Sequence, residues 1–207
     1  MILKIENLTK KIDDNIILDD ININFKEGFI YGIIGKNGSG KSMLLKTICG
    51  FLTPTSGNVF VDDLDIYKNT KIIPNARALI GNPEYLPDYS GTENLKFLAD
   101  IQKKIGDKEI KETIDIVNLS KDANKKMKKY SLGMKQKVGI AQVLMENPKI
   151  MIFDEPFNGL DEESIIKIRE HLKKIKKDKI IIIATHYKED IEKLIDVTIK
   201  ISNGKIE

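Results

Sequence analysis

The residues best suited to phosphate chemistry form one unbroken segment near the start of the 207-residue chain. The segment matches the pattern G-x-x-x-x-G-K-[ST] and consists of Gly35, Lys36, Asn37, Gly38, Ser39, Gly40, Lys41 and Ser42. Glycines at these places let backbone N–H groups point at an anion, and a following helix adds its dipole. The pattern predicts nucleotide binding, with Lys41 on the β- and γ-phosphates and Ser42 on Mg²⁺. A plain glycine-rich turn is disfavoured because a predicted strand precedes the segment and a predicted helix follows it.

Paired carboxylates, Asp154 and Glu155, end an apolar run at 150–153. Because parallel sheets bind ligands at the carboxyl ends of their strands, we expect Asp154 to hold Mg²⁺ through a water molecule. Glu155 points elsewhere and is expected to orient or deprotonate an attacking water. The alternative, a solvated acidic turn, is disfavoured because the pair directly follows a buried strand.

A third segment predicts a helix N-terminus that can receive an anion. It consists of Ser131, Leu132, Gly133, Met134, Lys135 and Gln136. Ser131 is predicted to be the N-cap, and Gly133 keeps the first turn free of side-chain bulk. Backbone N–H groups at such an end form an anion site. Taken alone, this segment is better explained as an ordinary capped helix.

Strands and helices must position these segments, and their patterns predict an α/β fold. Residues 21–25 alternate as in an antiparallel sheet, whereas 29–34, 149–153 and 179–184 are unbroken apolar runs typical of buried parallel strands. Residues 85–147 have helical spacing. We therefore predict a P-loop core with a mainly parallel sheet, an N-terminal antiparallel β-subdomain and an inserted helical subdomain. The predicted single domain covers 1–207, with the core at about 1–84 and 148–207 and the helical subdomain at about 85–147.

The overall composition favours a protein of a reducing compartment without a polyanionic partner. The formal net charge is only +3, so nucleic acid is not an expected partner. Cys49 is the single cysteine, which excludes a disulfide within the chain. No signal peptide is expected at the N-terminus, and no apolar run approaches the ~20 residues needed to cross a bilayer. If the protein serves a membrane process, another polypeptide must span the membrane.

Together these segments resemble the ATPase domains of the ABC family, over essentially the whole chain. The motifs that carry the resemblance occur in the family's order and spacing: the loop 35–42, the signature 131–136, the Walker B pair Asp154 and Glu155, the D-loop 158–161 and the histidine His186. The resemblance implies that two domains, arranged head to tail, sandwich two ATP molecules. Ser131 and Gly133 would then contact the γ-phosphate held by the partner's loop, and Asp161 would link the two sites.

The same resemblance implies catalytic roles, cofactors and partners. Lys41, Glu155 and His186 would be the catalytic residues, with His186 hydrogen-bonded to the γ-phosphate, and the cofactors would be ATP and Mg²⁺. The partners would be a second nucleotide-binding domain and a polytopic membrane permease, which would hold the chain at the cytoplasmic face of the cell membrane. The variant signature starting Ser131-Leu132-Gly133 resembles that of bacitracin- and lantibiotic-resistance exporters, which favours export.

Two positions depart from the family's pattern. Gly81, with Asn82 beside it, stands where a glutamine usually ligates Mg²⁺ and senses the γ-phosphate. Gly81 has no side chain to ligate the ion, so Asn82, Glu84 or a water must substitute, or the metal is held more loosely. Ile12 stands where an aromatic ring usually stacks on adenine. An aliphatic side chain covers a purine face without aromatic stacking, so we expect weak discrimination between bases.

Two other functions remain as alternatives at this point. Soluble ABC ATPases that act on ribosomes usually carry two nucleotide domains in tandem, and those that act on DNA a long coiled-coil insertion. This chain shows neither feature, which favours the transporter. A P-loop kinase would need neither the signature at 131–136 nor the D-loop at 158–161.

Overall fold

The predicted strands and helices are present along the whole chain. This is a computed structural model, which describes residues 1–207 except for the side chain of Lys188. The strands are β1 (Ile2–Ile12), β2 (Asn15–Lys26), β3 (Phe29–Ile34), β4 (Ser56–Val61), β5 (Leu64–Asp65), β6 (Ala76–Leu79), β7 (Ile150–Asp154), β8 (Ile180–Thr185), β9 (Val197–Ser202) and β10 (Lys205–Ile206). The α-helices are α1 (Lys41–Ile48), α2 (Ile66–Asn69), α3 (Gly91–Gln102), α4 (Asp107–Ile116), α5 (Leu132–Leu144), α6 (Glu162–Ile175) and α7 (Lys188–Lys193).

The alternating N-terminal segment forms an antiparallel sheet in the order β2-β1-β4-β5. On β2 the side chains of Ile21, Ile23 and Phe25 are buried, while the residues between them are exposed. The register places Ile23 opposite Ile5 of β1, so both strands turn their apolar residues to the same face. The predicted alternation is therefore confirmed.

A second sheet has the order β10-β9-β3-β8-β7-β6 and is parallel from β9 to β6, with β10 antiparallel to β9. Strand β8 lies between β3 and β7, with Ile34 opposite Thr185 and Asp154 opposite Ala184. Because these strands run in one direction, the loops that follow them leave the same edge of the sheet. This edge receives the phosphate loop, the two carboxylates and His186.

Burial on both faces explains the unbroken apolar runs. Every residue of β8 is buried, as are the first four of β7. Burying an isoleucine fully contributes on the order of 1.5–3 kcal/mol to stability, so these central strands fix the edge on which the site is built. The one polar side chain of β8, Thr185, donates a hydrogen bond of 2.8 Å to Asp190.

The helices after β6 begin where their caps predict. Ser90 Oγ accepts from Glu93 N at 3.2 Å and Glu93 Oε2 accepts from Ser90 N at 2.7 Å, which forms a capping box at the start of α3. Helix α5 starts after Ser131, whose hydroxyl accepts from Met134 N at 3.2 Å. The asparagine–glycine pair before Lys205 forms a tight turn between β9 and β10, with φ 47° at Asn203 and 77° at Gly204.

Residue contacts divide the chain into two units. One comprises 1–80, 149–155 and 176–207, and the other comprises 81–148 and 156–175. Helix α6 thus groups with the helical unit, where it contacts α4, whereas the sequence-based boundaries place it in the core. Those boundaries stay a prediction. The fold class is confirmed, and within the described part of the chain no helix combines the length and apolar character that a bilayer crossing requires.

Candidate nucleotide-binding site

The phosphate loop connects β3 to α1 and needs its glycines for different reasons. Gly38 and Gly40 have φ values of 80° and 110°, a region that residues with a side chain rarely adopt. A Cβ on Gly35 would lie 2.3 Å from the carbonyl oxygen of Ile201. Gly40 also caps α1 without a side-chain hydrogen bond, so no side chain competes for the first N–H groups of this helix. Those N–H groups suit a phosphate.

Lys41 is held against the loop by its own backbone. Its side chain is buried, and Nζ donates to the carbonyl oxygens of Gly35 at 2.7 Å and of Lys36 at 3.2 Å. An ammonium group has three donors, and these carbonyls fix its position without neutralising its charge. The structure therefore presents a fixed positive charge at the loop, as the motif predicts.

A cavity of about 400 Å³ joins the loop to the acidic pair. Its lining residues are Ile17, Asn37, Gly38, Gly40, Lys41, Ser42, Met43, Asp154 and Glu155. The Oδ1 atom of Asp154 is buried there without a hydrogen-bond partner. Leaving such a group unsatisfied costs about 1–3 kcal/mol, so a ligand is expected to reach it. Carboxylate and hydroxyl oxygens are the donors that Mg²⁺ prefers, and Asp154 and Ser42 therefore fit the ion.

Glu155 and His186 meet at the end of this cavity. Glu155 Oε1 lies 2.8 Å from Nδ1 of His186, and the Glu155 N–H donates to the carbonyl of Ala184 at 2.9 Å. Glu155 has φ 50°, a left-handed conformation that costs about 1–3 kcal/mol for a non-glycine residue and recurs at functional sites. The ring of Tyr187 packs 4.2 Å from that of His186. The edge of the sheet thus brings two predicted catalytic residues into contact.

The β1–β2 hairpin contributes a residue that the sequence reasoning missed. Ile17 of β2 lines the cavity, and its carbonyl would lie 3.3 Å from a Cβ on Gly40. Ile12, the predicted adenine contact, lies at the end of β1, is 41% exposed and is not among the described residues that line this cavity. Ile17 lies in the continuous apolar run 16–18, before the alternating residues 21–25, so no sequence pattern pointed to it. The role of Ile12 stays a prediction.

The predicted signature residues lie in the helical unit. Ser131 and Leu132 are exposed, and Gly133 approaches the backbone of the 156–161 loop, where a Cβ would lie 2.2 Å from the Gly159 carbonyl oxygen. Glycine is therefore required at 133 by this close approach to Gly159, and it also keeps the first turn of α5 free of side-chain bulk. Gln136, which is buried, donates from Nε2 to the Pro156 carbonyl at 3.1 Å.

Asp161 has a partner that the sequence did not reveal. Its Oδ2 lies 2.7 Å from Nζ of Lys137, and its Oδ1 accepts from the N–H of Ser164 at 3.0 Å. The hydrogen bond from Lys137, followed by those from Ser164, holds the pKa of Asp161 well below its ordinary value. Lys137 directly follows the signature, but its partner is separated from it in sequence by a strand and a turn.

The position of the missing glutamine follows β6. Gly81 has φ 72°, and a Cβ there would meet no atom within 4 Å, so backbone conformation and not crowding favours glycine. Asn82 and Glu84 line a groove of about 400 Å³ within the helical unit, together with Lys135 and Gln136. Either side chain has the oxygen atoms that the absent glutamine would supply.

The glycine loop lies between the central strand β3 and helix α1, and the paired carboxylates lie at the carboxyl end of β7, which is separated from β3 in the sheet by β8 alone. This arrangement defines a P-loop nucleotide-binding protein. The family model for ABC transporters matches residues 18–158. The ABC transporter ATP-binding protein YybJ of Bacillus subtilis is 38% identical over 206 residues, which cover 99% of this chain and 94% of YybJ. The chain belongs to the ABC transporter ATP-binding family, and its activity is ATP hydrolysis coupled to transport.

Two further relatives and a solved structure support the same family assignment. The bacitracin transport ATP-binding protein BcrA of Bacillus licheniformis is 35% identical, over 99% of this chain and 68% of BcrA. The lantibiotic transport ATP-binding protein SrtF of Streptococcus pyogenes is 33% identical, over 99% of this chain and 88% of SrtF. The dimeric structure of the bacterial cassette MJ0796 superposes with a TM-score of 0.85 at 28% identity, covering 99% of this chain and 96% of that one. The predicted resemblance is confirmed.

Proposed function

We propose that this chain powers export through a separate membrane permease by ATP-driven closure and hydrolysis-driven opening of a dimer. The observation that carries the proposal is the pairing of Glu155 with His186, 2.8 Å apart, beside the cavity that the phosphate loop lines. The pairing supports a role for Glu155 as the base for water and a role for His186 as the side chain that senses the γ-phosphate. BcrA and SrtF, which resemble the chain along its length, serve bacitracin transport and lantibiotic transport respectively.

In the proposed ground state the chain's own groups hold the triphosphate. Backbone N–H groups of the 35–42 loop surround the phosphates, and Lys41 neutralises the β- and γ-phosphate charge. Ser42 and, through water, Asp154 hold Mg²⁺, which when bound supplies neutralisation of the charge that develops on the phosphate oxygens.

In the proposed reaction Glu155 orients a water molecule and accepts its proton. The water oxygen then bonds to the γ-phosphorus as the bond to the bridging oxygen breaks, which yields ADP and phosphate. His186 donates a hydrogen bond to the γ-phosphate and keeps the Glu155 carboxylate in place. The strained backbone of Glu155 favours one orientation of this carboxylate over the alternatives.

The site is proposed to be completed by a second copy or a related subunit. Signature residues 131–136 would present Ser131 and the N–H groups of α5 to the γ-phosphate on the partner's loop, and Asp161 would connect the two sites. MJ0796 forms a dimer in its solved structure. The permease would hold the pair at the cytoplasmic face of the membrane.

Co-purification tests this function. We expect the affinity-tagged chain to co-purify from its native membranes with a polytopic membrane protein. ATP-dependent substrate movement in inverted vesicles would establish export, and movement only in right-side-out vesicles would establish import. A stable association with ribosomes, without a membrane partner, would contradict the transporter.

Replacing His186 with alanine is expected to reduce hydrolysis far more than binding. The ring is partly exposed and contacts Glu155, so its loss disturbs the reacting water and the γ-phosphate but leaves the phosphate loop intact. We expect kcat to fall about 10²-fold, in the range typical of positioned acid–base groups, with little change in the Kd for ATP. His171, the other histidine, lies on α6, and His171→Ala is the control. Equal losses of kcat and affinity would make the role of His186 structural.

Weak discrimination between ATP and GTP is expected from Ile12. Competition binding should show GTP displacing ATP at comparable concentrations, because no aromatic ring stacks on the base. Ile12→Tyr should raise ATP affinity, since stacking contributes on the order of 1–3 kcal/mol. Ile2→Tyr, at the other end of β1 and also 41% exposed, is the matched control. A strong preference of the wild type for ATP would contradict the role given to Ile12.

A further inference from the structure

A buried lysine joins the signature helix to the loop before α6. Lys137 is the sixth residue of α5 and is 8% exposed. Its Nζ lies 2.7 Å from Asp161 Oδ2 and donates to the carbonyl of Asn118 at 3.3 Å. Burying an ammonium group is strongly unfavourable unless it is paired and hydrogen-bonded, and these two acceptors meet that requirement.

The carboxylate of Asp161 is held from two sides. Its Oδ1 atom accepts from the N–H of Ser164 at 3.0 Å and from the Ser164 hydroxyl at 2.8 Å, which caps the N-terminus of α6. Its Oδ2 atom receives Lys137. The hydroxyl of Ser164 also lies 3.4 Å from Nδ2 of Asn118, at the end of α4. The Asp161 carboxylate therefore connects α5 to α6, and the contacts on its two oxygens fix its orientation.

Two further contacts attach the same loop to α5. The Pro156 carbonyl accepts from Gln136 Nε2 at 3.1 Å, and the Gly159 carbonyl approaches Gly133 so closely that no side chain fits between them. With Lys137 and Asp161, the loop 156–161 is held at its start, near its middle and at its end. All three contacts come from the first half of α5, which begins with the signature.

We propose that Lys137 is a positioning residue for ATP hydrolysis, because it fixes the 156–161 loop to the signature helix so that Ser131, Gly133 and Asp161 approach the partner's nucleotide as one body. This inference rests on the proposed dimer. Without Lys137 the loop and the signature would have to be ordered separately at each closure, and their conformational entropy would oppose assembly of the site. The phosphate loop lies in the other unit and retains all its own contacts.

Lys137→Met tests this role, since methionine keeps the unbranched side chain and removes the charge. The fold should tolerate it because Asp161, whose side chain is 53% exposed, can be hydrated by water. We expect kcat to fall about 10-fold, equivalent to ~1.4 kcal/mol, with an unchanged Kd for ATP. Lys137→Arg keeps the charge and should recover most of the activity. Lys128→Met is the control, because it removes an exposed ion pair of 2.6 Å within the same unit.

A double variant separates positioning from other causes. The double variant Lys137→Met, Asp161→Asn should hydrolyse ATP no more slowly than Asp161→Asn alone, because both changes remove the same interaction between Lys137 and Asp161. Three results would each overturn the proposal. The first is that the losses of kcat in the two single variants add up in the double variant, and the second is a wild-type kcat in Lys137→Met. The third is that kcat, ATP affinity and unfolding temperature fall together and Lys137→Arg does not restore them. A wild type that neither dimerises with ATP nor hydrolyses it would instead contradict the proposed function.

Discussion

The Glu155→Gln variant is expected to accumulate as an ATP-bound dimer. Glutamine keeps the size of the side chain and its reach to His186, 2.8 Å away, but cannot accept a proton from water. Hydrolysis should fall roughly 10²–10⁴-fold, the usual contribution of a positioned base. ATP binding should persist because the loop 35–42 and Lys41 are untouched. Removing one negative charge beside the γ-phosphate also lowers electrostatic repulsion in the closed state.

Size-exclusion chromatography with light scattering, at saturating ATP and Mg²⁺, measures this directly. The wild type should return to monomer as ATP is consumed, whereas Glu155→Gln should keep the dimer mass. Glu27→Gln removes an exposed carboxylate at the opposite end of β3 and is the control. A Glu155→Gln protein that stays monomeric at saturating ATP would refute the sandwich arrangement.

Lys41→Ala should abolish tight binding of ATP. The change deletes a charge-assisted contact worth about 1.5–3 kcal/mol, which corresponds to a roughly 10- to 100-fold rise in Kd. In the structure Lys41 also donates to the Gly35 and Lys36 carbonyls, so the loop loses two of its own hydrogen bonds. Both effects lower affinity in the same direction.

Calorimetric titration with a non-hydrolysable ATP analogue gives the affinity without turnover. Lys46→Ala, in the last turn of α1, removes a lysine from the same helix and should leave the Kd within about twofold, since helix-terminal charges contribute only ~0.3–1 kcal/mol to stability. If Lys41→Ala bound ATP as tightly as the wild type, its predicted contact with the β- and γ-phosphates would be wrong.

Local patterns were sufficient to predict the fold and the main features of the site. The β-branched run that became β8 favours a strand buried on both faces, and the glycine spacing at 35–40, between a predicted strand and a predicted helix, favours a turn that binds an anion. Both signals lie within a few residues of sequence. The capping box of Ser90 and Glu93 and the N-cap of Ser131 were predictable for the same reason.

The unpredicted features depend on contacts between distant segments. Lys137 reads as one more exposed lysine of a lysine-rich chain until Asp161, which precedes α6, lies beside α5. Ile17 is one of three consecutive apolar residues, 16–18, until the hairpin lies against Gly40. The grouping of α6 with the helical unit also follows from packing, since its amphipathic pattern shows that it has a buried face but not which neighbour covers it.

The sheet order also sets when the protein can become active during its synthesis. Among the described residues, strand β3, which leads into the phosphate loop, pairs with β8 and β9, and both follow it far along the chain, at 180–185 and 197–202. Pairings so distant in sequence form slowly, because a long loop must close before they contribute any stability. A nascent chain therefore carries the loop without the neighbours that shape it until β8 and β9 have been synthesised. Nucleotide can stabilise this unit only after β9 has left the ribosome.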